Sequence, residues 1–227
     1  MSDQEFLNAL QEITDKPSSQ EELYNLYIAN LIGAALEFDY PVFEKTFNSC
    51  NLKFGFTTTI EKVLYPVLKK IGVLWQREEI NPAQEHFVSN IAKQKLFTAI
   101  DGIPAPTNIS ENYLLFLPEF EDHEIGLLYT YFLLSNAGIK TLYLGQRVPF
   151  ESLKMAAETV NPTHLVFFMT STLSTRQANN YLMQIAVQFR NKQIYLAGNT
   201  AFISSLQIPG EITYLQNPDD LKIIIKK

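Results

Sequence analysis

The stretch Tyr113-Leu114-Leu115-Phe116-Leu117-Pro118-Glu119-Phe120-Glu121-Asp122-His123-Glu124-Ile125-Gly126 decides how the second half of this chain folds. Its first five residues are continuously apolar, the pattern of a strand covered on both faces, and Pro118 ends the run. A polar loop follows, and then a stretch from Ile125 to Ala137 long enough for a helix. The same alternation continues downstream. Short apolar strands are predicted at Lys140–Leu144, His164–Met169, Gln193–Ala197 and Ile212–Leu215, with helix-like stretches near Phe150–Val160, Gln177–Arg190 and Pro218–Ile225. Five such units in about 115 residues predict an α/β, flavodoxin-like (Rossmann-like) five-stranded parallel sheet over residues 112–227. Thr200–Gly210 is too short and mixed for a helix to be expected.

Upstream the period changes from strand to helix. Leu23, Leu26, Ile28, Leu31, Ile32, Ala35 and Leu36 recur at three- and four-residue spacing after a capping box at Ser18-x-x-Glu21. Asp39–Pro41 reads as a helix restart, and Thr58-x-x-Glu61 as another start, followed by Ile60, Val63, Leu64, Val67, Leu68 and Ile71 on one face. Asn81 can cap a last helix with Pro82 at its first position and Gln84 at its third, ahead of Phe87, Ile91 and Leu96. These signals predict an N-terminal, all-α helical bundle over residues 1–100. The polar segment from Asp101 to Asn108 carries Pro104 and Pro106, which places a linker at 101–111.

Composition narrows the function classes. The 227 residues carry 18 basic and 24 acidic side chains, a net charge of −6, with 9 against 14 up to residue 110 and 9 against 10 after it. Neither half is basic, which argues against a direct grip on a nucleic-acid backbone. A hydrophobic fraction of 46% supports a real core. The start Met1-Ser2-Asp3-Gln4-Glu5 lacks signal-peptide character, and runs such as Leu165–Met169 are far short of a membrane span. The single cysteine, Cys50, forbids an internal disulfide, has no basic neighbour to activate it, and suits a reducing cytoplasm. The expectation is a soluble cytoplasmic protein without membrane contact.

In an open parallel sheet, ligands bind beyond the carboxyl ends of the strands. On that rim lie the Glu119–Gly126 loop, Ser171-Thr172-Leu173 after the third strand, and Gly198-Asn199 after the fourth. No G-x-G-x-x-G or G-x-x-x-x-G-K-[ST] occurs, which excludes nucleotide binding by those devices. Three histidines in separate elements make a zinc triad a poor reading, and His164, opening a buried strand, is expected to be structural.

Glu121-x-His123-x-x-Gly126, then Ser171-x-Leu173, then Gly198-Asn199 resembles the cobalamin-binding domain family. That family has aspartate where this chain has Glu121, and commonly a second glycine where it has Asn199. The resemblance implies that His123 is the lower axial ligand to cobalt, replacing the cofactor's own base (base-off, His-on), with Glu121 as the acceptor that orients it. Ser171, Leu173, Gly198 and Asn199 would line the displaced nucleotide tail. In the helical half, Trp75 is followed by nine residues and then Glu85-His86. This W-x9-E-H spacing resembles the helical cap of adenosylcobalamin-dependent, light-sensing regulators of the MerR type, the CarH-like family. There the tryptophan and the Glu-His pair cover the upper face of the corrin.

What the resemblance implies is a non-enzymatic cobalamin-binding sensory module, holding adenosylcobalamin or another cobalamin form and responding to light or to cobalamin. It implies self-association as a dimer or tetramer. Those regulators reach DNA through a helix-turn-helix domain, and this chain has no basic recognition helix before its bundle. Some relatives also place a histidine directly after the tryptophan, where this chain has Gln76. Two alternatives stay open. The same sheet motifs serve corrinoid methyl carriers of methyltransferase systems, and a degenerate relative could keep the fold as a protein-interaction module without corrin.

Overall fold

A computed structural model describes residues 19–170 and 174–225. The chain divides into two compact units, residues 1–92 and 93–227.

The first unit is helical. Helix α1 (Gln20–Leu36) starts where the Ser19 hydroxyl accepts a hydrogen bond from the Glu22 N–H at 3.3 Å. The expected cap, Ser18, lies outside the described residues. Of the expected face, α1 buries Leu23, Ile28, Leu31 and Ala35, joined by Tyr24 and Tyr27, whereas Leu26 and Ile32 are partly buried and Leu36 is exposed. Asp39 restarts the chain as helix α2 (Tyr40–Phe54), its carboxylate accepting from Val42 N–H at 3.0 Å. Gly55, with φ +79°, then turns the backbone into the short helix α3 (Phe56–Thr59), so Thr58 sits inside a helix and does not start one. The break needs a left-handed residue, and glycine takes that conformation without penalty.

A π-helical turn at Ile60–Leu64 joins α3 to helix α4 (Tyr65–Gln76). Pro66 accounts for this widening, because its ring crowds the preceding carbonyls and it has no N–H for the ladder. Asn81 opens helix α5 (Pro82–Asp101): its side-chain Oδ1 accepts from Ala83 N–H at 2.9 Å, and Gln84 Oε1 reaches back to accept from Asn81 N–H at 2.9 Å. Helix α5 runs across the division between the two units.

The second unit is α/β. Its strands are β1 (Asn108–Pro118), β2 (Ile139–Val148), β3 (His164–Met169), β4 (Gln193–Gly198) and β5 (Ile212–Tyr214), all parallel and ordered β2-β1-β3-β4-β5. The first four residues of β1 fall within the stretch expected to be linker. The intervening helices are α6 (Ile125–Asn136), α7 (Phe150–Val160), α8 (Thr175–Gln188), α9 (Thr200–Ile203) and α10 (Pro218–Ile225). The four-residue α9 falls where no helix was expected; Asn199 nucleates it by accepting from Phe202 N–H at 3.2 Å.

Alternation along β1 divides its side chains between two cores. Leu114 and Phe116 pack with residues of α7 and α8, while Tyr113, Leu115 and Leu117 pack with residues of α6 and α10. Each of these fully buried leucine and phenylalanine side chains contributes about 1.5–3 kcal/mol. The strand order reverses between β1 and β3, which is where ligands bind in an open parallel sheet. No described helix is long and apolar enough to cross a membrane.

Candidate functional site

The loop after β1 brings Glu121 back beneath the strand ends. Its side chain is fully buried, an expensive place for a carboxylate, and the surrounding donors account for its survival there. Oε1 accepts from the N–H groups of Asp122 and His123, each at 3.0 Å, and contacts His123 Nδ1 at 2.6 Å. Oε2 accepts from the backbone N–H of Thr170 at 2.7 Å and from its hydroxyl at 2.8 Å. Burial alone would raise this carboxyl's pKa, but the bonds from His123 and Thr170 outweigh it and hold the group below the ordinary glutamate range.

The same geometry determines the chemistry of His123. A carboxylate on Nδ1 stabilises the tautomer with its proton on that nitrogen and makes Nε2 the basic nitrogen. The Thr170 hydroxyl also lies 2.8 Å from Nδ1, so it ties carboxylate and imidazole together. The histidine side chain is 60% exposed, whereas its carboxylate partner is sealed. The imidazole is thus held at Nδ1 while most of its surface stays exposed.

Flanking residues are held from the end of β2. The Arg147 guanidinium donates to Asp122 through Nε at 2.5 Å and Nη2 at 2.7 Å, and this fork holds the Asp122 carboxyl below its usual range. On the other flank, Tyr143 Oη donates to Glu124 at 2.6 Å and Gln146 Nε2 donates to it at 2.8 Å. Both neighbours of His123 are therefore tied to β2.

Gly126 lies in the first turn of α6 against Phe168; a Cβ there would come within 2.6 Å of the ring. Gly198 ends β4 with φ +140°, and a Cβ there would meet the Met169 carbonyl oxygen at 1.9 Å, so only glycine fits. The Asn199 side chain is occupied in capping α9. Ser171 and Leu173 lie outside the described residues.

In the helical unit, Trp75 occupies the last turn of α4 and is 46% exposed. Glu85 lies in the first turn of α5 and pairs with His86 Nδ1 at 3.0 Å. The end of α4 and the start of α5 bring these residues to one end of the bundle. His164 opens β3 at the opposite strand end from His123, stacked on Tyr113 with centroids 4.2 Å apart, and burial pushes its pKa down. Cys50 is buried and its thiol pushed up by that burial, though Thr59 donates to it at 3.5 Å. Among the described residues no group of three or more His, Cys, Asp or Glu side chains could hold a metal ion unaided.

Sequence reasoning overlooked Thr170, Arg147, Tyr143 and Gln146. Thr170 had a signal, a hydroxyl residue directly preceding Ser171-x-Leu173. The other three had none, because their partners lie about 20 residues away or more.

Residues 27–99 match the B12 binding domain family. Over 152 residues the chain is 28% identical to the HTH-type transcriptional repressor CarH of Myxococcus xanthus, a match covering 67% of this chain and 49% of that protein. The chain thus spans about half the length of that curated relative. The monomethylamine corrinoid protein of Methanosarcina barkeri shares the fold, with a TM-score of 0.64 at 14% identity over 89% of this chain and 98% of the other. The family and relative matches bear out the resemblance drawn from the motifs.

Proposed function

We propose that this chain is the cobalamin-binding sensory module of a MerR-type transcriptional regulator, with His123 as the lower ligand to cobalt. The observation that carries the reading is the Glu121–His123–Thr170 arrangement: a buried, fully engaged carboxylate orients an exposed imidazole whose Nε2 is its basic nitrogen. These residues fit a corrinoid. His123 supplies the nitrogen ligand, while Gly198, where a Cβ would meet the Met169 carbonyl oxygen, lets the end of β4 close against β3 beside it.

When bound, the corrinoid supplies a cobalt centre carrying a light-sensitive organic upper ligand. Toward it, Glu121 and Thr170 hold the Nδ1 proton, and Asp122 and Glu124, tied to β2, keep the loop from moving the ring. In the helical unit, the Trp75 indole offers a flat apolar surface and Glu85 a hydrogen-bond acceptor for the upper ligand. Loss of that ligand on illumination would change what the helical unit holds, and so bias assembly of the chain into a dimer or tetramer. DNA contact would come from a separate helix-turn-helix domain.

Adding adenosylcobalamin in the dark is expected to give a base-off spectrum with histidine ligation, which His123→Ala converts to one without it. An identical spectrum in the variant, or no binding by wild type, overturns the reading. The methyl-carrier alternative predicts instead tighter binding of methylcobalamin and indifference to Trp75→Ala. Sizing the loaded protein before and after illumination tests the light response.

A further inference from the structure

Among the described residues, four non-glycine residues have left-handed backbone: Phe38 (φ 54°), Glu78 (φ 59°), Arg147 (φ 53°) and Asn161 (φ 45°). Asparagine tolerates that region well, and Asn161 follows the end of α7 in the place where such a residue is common. The others are less suited to it, and a bulky aromatic least of all. Arg147 already belongs to the His123 loop through its fork onto Asp122. Phe38 and Glu78 both occupy the position after a helix end where glycine is usual, and both lie at the bundle end that carries Trp75 and Glu85.

Phe38 follows α1, in a turn closed by the Asp39 N–H donating to Ala34 at 2.8 Å. Its ring is 48% exposed, so burial does not explain an aromatic in this conformation. Its ring meets that of Phe87 edge-to-face with centroids 5.6 Å apart at 77°, and Phe87 directly follows Glu85-His86. The turn is also tied to that segment by Gln84, whose Nε2 donates to the Leu36 carbonyl at 2.7 Å. Tyr40, two residues on, leaves a second half-exposed aromatic beside it. The exposed face of Phe38 thus continues the surface begun by the Glu85-His86 segment.

We propose that Phe38 is a ligand-contact residue of the helical unit, its strained turn presenting the ring to the organic upper ligand of the same corrinoid that Trp75 and Glu85 serve. This inference rests on the cobalamin reading above. An aromatic face suits a planar base such as the adenine of an adenosyl group, through offset stacking or edge contact. Strain retained at a half-exposed position is then explained by function, as at other ligand-contacting sites.

The test compares Phe38→Gly, Phe38→Tyr and Trp75→Ala in the intact chain, measuring dark adenosylcobalamin affinity, the thermal midpoint without ligand, and ligand-free size. Glycine relieves the left-handed strain, so Phe38→Gly is expected to keep its midpoint within about 3 °C of wild type. Its affinity is expected to fall about tenfold, whereas Phe38→Tyr, equally strained but aromatic, binds as wild type. Wild-type affinity in Phe38→Gly, alongside weakened binding in Trp75→Ala, overturns the role of Phe38 and spares the cobalamin reading. A changed ligand-free size in Phe38→Gly with unaltered affinity makes the patch a self-association surface and also overturns it. Absence of binding by wild type overturns both.

Discussion

Two glutamate–histidine pairs occur among the described residues, and they differ in nearly everything except composition. Glu85 and His86 are chain neighbours 3.0 Å apart in the first turns of α5, with side chains 31% and 73% exposed. Glu121 and His123 are 2.6 Å apart across a loop, and there the carboxylate is sealed and takes five hydrogen bonds from described residues. An exposed pair competes with water and is loosely held, so it adds little to stability and its geometry yields readily to a ligand. A buried carboxylate must keep every acceptor engaged, so its partner imidazole inherits a fixed orientation. One pair is built to adapt, and the other to hold.

The widest gap should open on removing each carboxylate. Glu121→Ala strands the N–H groups of Asp122, His123 and Thr170, and is expected to lower unfolding free energy by about 2–4 kcal/mol. Under the cobalamin reading it also costs about 10–100-fold in corrinoid affinity. Urea unfolding and a binding titration measure the two effects; a stability loss below about 1 kcal/mol would erase the distinction between the pairs. Thr170→Val tests whether the hydroxyl bridge matters separately from the carboxylate. It should cost about 1–2 kcal/mol, with Thr170→Ser restoring most of it in the same unfolding assay.

Acid titration sharpens the contrast further. Because the folded Glu121 carboxyl is held below its unfolded value of 4.5, its contribution is fully present above that value. It is lost as pH falls through the lower folded value. Urea midpoints followed below pH ~5 should decline more steeply in wild type than in Glu121→Gln. Equal slopes would mean that the buried carboxylate gains nothing from its donors. The smallest effect is expected at the other pair: Glu85→Ala should change stability by less than about 0.5 kcal/mol. Under the cobalamin reading its consequence lies instead in the affinity for an adenosyl-bearing corrinoid, measured in the dark.

Much of this was legible beforehand. The apolar run Tyr113–Leu117 and the capping residues Asp39 and Asn81 act through neighbours one to four residues away, so local pattern suffices. The Glu121-x-His123 pair was also visible, since a two-residue spacing lets the carboxylate reach the ring. Less visible was the turn into α3, where Thr58-x-x-Glu61 imitates a cap although Gly55 makes the break and Pro66 widens the helix. Least visible were Thr170 and the β2 residues, because residue spacing carries no record of which strands become neighbours.

By itself, then, the sequence determined the order of elements, the change from helical to strand period, and the side chains able to ligate or orient. Those properties reside in short stretches of chain. Only the tertiary structure decided which glutamate–histidine pair is sealed, because burial depends on the packing of β1 against β3 and the arrival of Thr170 forty-nine residues away. It also decided that Phe38 closes its turn in a left-handed conformation with half its ring exposed. The physical reason is common to both: solvent exclusion and backbone strain are imposed by the assembled surroundings of a residue, not by its identity.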